Sequence, residues 1–182
     1  MKKLILLAFA IIAGGLFFAF MPKDDRSSNP TYGDETIKWY SFEEAVKANK
    51  STKKKIFIDV YTDWCGWCKR MDATTFSDPD VAKYVNANFY PVKLNAEQKE
   101  DIVFNGKTFK WVASGRGGVN MLANSLLDGN LGFPSYVYLT PEYERILISP
   151  GYKPVPDFTK ELRFVSEGHY ANTTWEQYRK NH

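Results

Sequence analysis

Hydrophobic positions are spread unevenly along this chain. Leu4 to Phe20 runs without a charge between Lys2-Lys3 and the charged stretch Lys23-Asp24-Asp25-Arg26. Residues 22–35 are polar and hold Pro, Ser, Asn and Gly, the composition of a linker. From about Thr36 the pattern is that of a folded domain. Phe42, Ala45 and Val46 fall on one helical face behind Ser41, and Glu44 completes a capping box. "KIFIDVY" (55–61) is a short β-branched and aromatic run, so a buried strand is expected. "CKRMDATTF" (68–76) reads as a helix, and Asp78-Pro79 starts another with Val81, Tyr84 and Val85 as its apolar face. "NFYPVKLNA" (88–96) is the next strand.

The second half is more varied. "IVFNGKTFKW" (102–111) sets Asn105-Gly106 between apolar runs, a strong hairpin signal. "GRGGVNMLANSLLDG" (115–129) reads as a glycine-rich turn and a helix stopped by Gly129. "PSYVYLT" and "RILIS" read as strands joined by a turn centred on Pro141, "PDFTKELRFVSEG" as a helix and "TTWEQYRKN" as a final short one. Strand–helix–strand followed by a hairpin and a helix predicts an α/β fold, a mixed central β-sheet flanked by helices.

The 182 residues suit one domain plus a leader, and 44% hydrophobic content suffices for a core. A net charge of +3 gives no nucleic-acid signature, and Lys53-Lys54-Lys55 reads as a solvated loop before a strand. The segment 1–21 has the form of an export signal, or of an uncleaved membrane anchor through residues 4–20. No cysteine follows the apolar run, which argues against a lipoprotein anchor. Both remaining readings place the domain 36–182 outside the cytoplasmic membrane, where disulfides persist.

The only cysteines, Cys65 and Cys68, lie in "DWCGWCK". A structural zinc site needs four ligands, and the only histidines are His169 and His182. Haem attachment needs a histidine after the second cysteine, where Lys69 stands. A disulfide across so small a loop restrains little of the unfolded chain. A redox pair fits better. A cysteine at the start of a helix meets the positive end of its dipole, which favours the thiolate and leaves the sulfur exposed. Cys65 then attacks, and Cys68, one turn on, resolves.

"FIDVYTDWCGWCK" resembles the thioredoxin active-site segment. "TFSDPDVAKYV" with "VKLNA" resembles more closely the C-terminal domain of DsbD-type thiol–disulfide interchange proteins and related small secreted thioredoxin-like proteins. "GFPSYVYL" resembles the cis-proline segment of that fold, and Gly151 also fits. The resemblance covers roughly residues 39–165. It implies a thioredoxin-like fold and a protein disulfide reductase with no metal or organic cofactor. Its implied partners are protein disulfides or dithiols and a membrane or periplasmic redox partner, not nucleic acid. It makes Asp59 the buried acid that moves the resolving cysteine's proton, or alternatively an acid with an ordinary hydrogen bond. It makes Lys93 the partner of that acid, or a surface lysine. Trp64 would flank the nucleophile and offer a contact surface, or serve packing alone. Gly66, between Cys65 and Trp67, would contact substrate. Pro134 would be the cis-proline that leaves the Phe133 backbone for a substrate segment, or an ordinary turn proline after Gly132.

Two departures stand out. Gly66-Trp67 replaces the Gly-Pro of thioredoxins. It lacks the histidine of oxidising relatives, which leans toward a reductant or mild exchanger, and exposed Trp67 is a candidate substrate contact. The stretch of about 103–129 is a hairpin-plus-helix insertion before the cis-proline strand. It carries Phe104, Lys107, Phe109, Lys110, Trp111 and Arg116 and either docks a partner or covers one side of the fold. The rival readings are a non-catalytic binding module on the same scaffold and a net oxidant or isomerase.

Overall fold

The run "KIFIDVY" forms β1 (Lys55–Tyr61), and its five central residues are buried. A strand packed on both faces reads as a continuous apolar run. In the computed structural model, which describes residues 35–182 except Arg116, β1 lies inside the sheet. The expectations for the leader 1–21 and for residues 22–34 of the linker lie outside the described residues.

The element order is α1 (Phe42–Ser51), β1, α2 (Gly66–Ala73), α3 (Pro79–Asn88), β2 (Phe89–Asn95), β3 (Ile102–Phe104), β4 (Lys107–Phe109), β5 (Trp111–Ser114), β6 (Gly117–Asn120), α4 (Met121–Leu126), β7 (Ser135–Leu139), β8 (Arg145–Pro150), α5 (Val155–Ser166) and α6 (Trp175–Asn181). The capping box predicted for α1 is present. The Glu44 N–H donates to Ser41 Oγ at 3.2 Å, and the Ser41 N–H donates to Glu44 Oε2 at 2.8 Å. Asp78 caps α3 by accepting from the N–H groups of Asp80 and Val81, with Pro79 in the first turn.

The central sheet runs β2-β1-β7-β8. β1 and β2 are parallel, because α2 and α3 supply the crossover that parallel strands need. β7 is antiparallel to β1 and to β8, which makes the sheet mixed. Alternation along the strands divides the core. Ile56, Ile58, Val60, Val92, Leu94, Val137 and Leu139 pack on one face with Phe42 and Ala45 of α1 and Leu122 of α4. Phe57, Phe89, Tyr136 and Tyr138 pack on the other with Met71, Val81, Phe158 and Leu162. Each fully buried large side chain contributes about 1.5–3 kcal/mol of transfer free energy.

The insertion packs over the α1 face. Phe104 meets Phe42 and Tyr143 edge-on, with both ring separations at 5.1 Å, and Ile102, Phe109 and Leu122 are buried beneath it. The Asn105-Gly106 hairpin forms, with φ of 49° and 74° at the two turn residues. The glycine-rich stretch departs from expectation. Gly117 and Gly118 are not a turn but part of β6, which pairs with β5 in a second hairpin. Gly118 has to be small there, since a Cβ on it would lie 2.1 Å from Cζ2 of Trp111. Gly129, with φ 77°, ends the helix as predicted, its N–H donating to the Asn124 carbonyl at 2.9 Å.

Candidate active site

Where β1 ends, the chain turns through Thr62, Asp63 and Trp64, and the Cys65 N–H donates back to the Thr62 carbonyl at 3.1 Å. Cys65 is the N-cap of α2, and its Sγ accepts from the Cys68 N–H at 3.0 Å. The two cysteines form a disulfide, with Cα atoms 5.3 Å apart. The first turn of α2 carries no acidic residue to oppose the dipole's effect on a thiolate there. One expectation is corrected. The sequence predicts an exposed Cys65 sulfur, yet in the disulfide the residue is only 4% exposed. Capping turns its Sγ back over the helix toward Cys68, and Gly66 and Trp67 are the exposed residues between the cysteines.

Asp59 lies six residues before Cys65 on β1 and is 1% exposed. Lys93 stands in register with it on β2, and the ammonium lies 2.8 Å from Asp59 Oδ2. The same ammonium pairs with Asp72 of α2 and lies over the rings of Tyr61, Trp39 and Phe76 at 4.8, 5.1 and 5.5 Å. Burial pushes the Asp59 carboxyl up to about 6, against the pull of Lys93 and with a small further push from Asp72. For Lys93 burial acts downward, but the Asp59 and Asp72 carboxylates outweigh it and hold the ammonium above its ordinary range. The arrangement brings a buried acid, poised to exchange a proton near neutral pH, to the strand that leads into the cysteines.

The remaining candidates frame the disulfide at the C-terminal end of β1. Val60 pairs with Ser135, which places Phe133 and Pro134 at that end of the sheet, and the peptide between them is cis. Trp64 is 66% exposed, packs edge-on against Phe133 at 6.0 Å and donates its indole N–H to Glu97 Oε1 at 3.0 Å. Trp67 is 56% exposed and leans on Tyr152 at 5.5 Å, with the Arg70 guanidinium 5.4 Å from its ring. At Gly66 a Cβ would meet nothing within 4 Å, so packing does not demand glycine there.

Sequence reasoning missed Asp72, Arg70 and Tyr152. Asp72 had a readable signal: it follows Cys68 by four residues on one helix and so shares its face. Arg70 had the same kind of signal, three residues from Trp67 on one helix, whereas Tyr152 had none, because its meeting with Trp67 joins α2 to the loop after β8. Among the described residues, no cluster of three or more His, Cys, Asp or Glu is placed to hold a metal ion.

Residues 29–182 match the family model described as "Thioredox_DsbH: Protein of unknown function, DUF255". The uncharacterized protein B0495.5 of Caenorhabditis elegans is 28% identical over 147 residues, which are 80% of this chain and 18% of that protein. The thiol:disulfide interchange protein DsbD of Ralstonia nicotianae is 44% identical over 39 residues, 21% of this chain and 6% of its own. The chain thus spans less than a fifth of the length of either, 18% and 6%. A solved structure titled DsbH oxidoreductase superposes with a TM-score of 0.55 at 16% identity, covering 81% of this chain and 95% of the other. A thioredoxin from Thermus thermophilus gives 0.54 at 22% identity, covering 71% and 87%. The fold is thioredoxin-like, and the chain belongs to the Thioredox_DsbH family.

Proposed function

We propose that this protein is an exported thiol–disulfide oxidoreductase that reduces or exchanges disulfides in proteins outside the cytoplasmic membrane. The observation that carries the reading is the Cys65–Cys68 disulfide at the N-terminus of α2, on the chain that leaves β1 beyond the buried Asp59. The name of the DsbD relative points to the same chemistry.

In the reduced protein, the Cys65 thiolate attacks one sulfur of a substrate disulfide. A mixed disulfide forms and the other substrate sulfur leaves as a thiolate, which takes up a proton. Cys68 then attacks Cys65 Sγ, which breaks the mixed disulfide, releases the second substrate thiol and forms the Cys65–Cys68 bond. Cys68 must first lose its proton, and Asp59 is the base matched to that task, because a general base works best near the working pH. Lys93 keeps Asp59 ionisable despite burial. The substrate is oxidised protein in and dithiol out, and a dithiol partner on the same side of the membrane restores the pair.

Trp64, Phe133 and Pro134 on one side, and Trp67 on the other, form the surface against which an extended substrate segment lies. Export rests on Lys2-Lys3 and the uncharged run 4–20.

The test is reduction of a model protein disulfide by the full-length chain. Wild type should turn over with a dithiol donor, and Cys65→Ser should abolish turnover while circular dichroism stays unchanged. Cys68→Ser should accumulate a mixed disulfide with substrate, visible by mass. Absence of turnover in wild type would favour a non-catalytic binding module.

A further inference from the structure

Four residues stand in one line across the sheet. Lys93 on β2 is in register with Asp59 on β1, Asp59 with Tyr136 on β7, and Tyr136 with Ser149 on β8. Directly opposed residues share a face, so the line is a polar rung beneath the aromatic core of Phe57, Phe76 and Phe158. Both ends of the rung are partnered. Lys93 binds Asp59 and Asp72, and Ser149 Oγ donates to Glu161 Oε2 at 2.5 Å, while the Tyr138 hydroxyl donates to Glu161 Oε1 at 2.8 Å.

The middle differs. Asp59 Oδ1 and the Tyr136 hydroxyl are both buried and have no hydrogen-bond partner among the described residues. Such atoms are rare in folded proteins, because each unmade bond costs about 1–3 kcal/mol. Here two of them belong to facing neighbours on paired strands. A carboxylate oxygen accepts and a phenol donates, so one hydrogen bond, direct or through an internal water, would satisfy both. Burial, and then the charge of Asp59 ahead of that of Glu161 and Asp72, hold the Tyr136 phenol far above its ordinary range, so it remains a donor.

We propose that Tyr136 is a positioning residue for Asp59: its hydroxyl donates toward Asp59 Oδ1, directly or through one internal water, and steadies the ionised carboxylate on the side that Lys93 does not reach. The inference rests on the proposed role of Asp59 as acceptor of the Cys68 proton, and adds to it the residue that completes the acid's surroundings. Around Asp59 and Tyr136 stand Lys93 from β2, Tyr61 from β1, Asp72 from α2, Tyr138 from β7, Tyr152 and Lys153 from the loop before α5, and Glu161 from α5. The Lys153 ammonium lies 4.7 Å over the Tyr136 ring.

The experiment is a carboxyl-carbon NMR titration of Asp59 in the full-length chain, with the disulfide intact so that neither cysteine titrates. Tyr136→Phe keeps the ring and removes only the hydroxyl. The Asp59 midpoint should rise by about one pH unit, the size expected for losing a hydrogen bond to a charged group. An unchanged or lowered midpoint would overturn the proposal. A readout without any variant is the Tyr136 hydroxyl proton in wild type, whose resonance should move as Asp59 titrates and would stay fixed if the two groups do not meet. In kinetics, Tyr136→Phe should displace the pH profile of mixed-disulfide resolution upward in wild type and leave it unmoved in an Asp59→Asn background. A displacement of equal size in both backgrounds would assign the effect to packing and sink the idea. The NMR midpoint needs no turnover, so a raised midpoint in a protein without disulfide exchange would uphold this inference while refuting the proposed activity.

Discussion

Lys93 and Asp59 face each other across the β2–β1 pair at 2.8 Å, yet the lysine does not hold the acid at an ordinary value. Its ammonium is shared with Asp72, and Asp59 has lost almost all of its solvent. Desolvation therefore outweighs attraction, and the ionised carboxylate is a cost that the fold carries at neutral pH.

Stability should reflect that cost. Asp59 titrates near 6 when folded and near the ordinary 3.8 when unfolded, so between those values the folded state binds more protons. The contribution of Asp59 to stability is then highest below about 3.8, falls as pH rises from there through about 6, and is level above. A rise of about two pH units corresponds to ~3 kcal/mol. Asp59→Asn should lack this slope and be more stable than wild type at pH 7 by up to that amount, as read by urea unfolding from pH 4 to 8. Parallel pH dependences in the two proteins would show that Asp59 is not perturbed.

Trp67 should matter to protein substrates and not to the disulfide itself. Its ring leaves 56% of its surface open beside the cysteines, and exposed aromatics that become buried at interfaces carry much of their binding energy. Trp67→Ala is expected to weaken turnover of a protein disulfide about tenfold, a loss of ~1.4 kcal/mol, mainly through KM. Its reaction with a small-molecule dithiol should be unchanged. Equal rates on every protein substrate tested would remove Trp67 from the binding surface.

The β5–β6 hairpin depends on one close approach. Gly118→Ala sets a methyl group against the Trp111 ring and the Val112 carbonyl, and overpacking of this kind costs about 1–3 kcal/mol. Hydrogen exchange should quicken across residues 111–120 while β1 and β7 stay protected. Unchanged protection of the hairpin would mean that the Trp111 ring and the Val112 backbone both give way at little cost.

These results also show which features were legible in the sequence. β1 and the hairpin at Asn105-Gly106 were readable because their signals are local: a seven-residue strand run with five buried residues at its centre, and two residues that accept positive φ. The second hairpin was not. Gly117-Gly118 carries the composition of a turn, and only pairing with Ser114 and Ala113 of β5 makes it a strand. At the candidate site, the cysteines announce themselves by spacing and by their place between strand and helix. Asp59 stood out only through resemblance, since an acid within an apolar strand has no periodic signature. Its register with Lys93 and Tyr136 belongs to the sheet and not to any one segment. The burial of Cys65 is not legible in the sequence because a helix N-terminus suggests an open position, whereas capping and the bond to buried Cys68 turn the sulfur inward.

The central claim is that Cys65 and Cys68 form a reversible redox pair serving as a reductant or exchanger. Its most direct test is a redox titration of the full-length protein against dithiothreitol or glutathione buffers, with the dithiol fraction read by alkylation and mass. A two-electron transition near the thioredoxin end of the scale, about −270 mV, is predicted. A midpoint near the strongly oxidising end, about −120 mV, would contradict the assigned direction and make the protein a disulfide donor despite the uncharged Gly66-Trp67 pair.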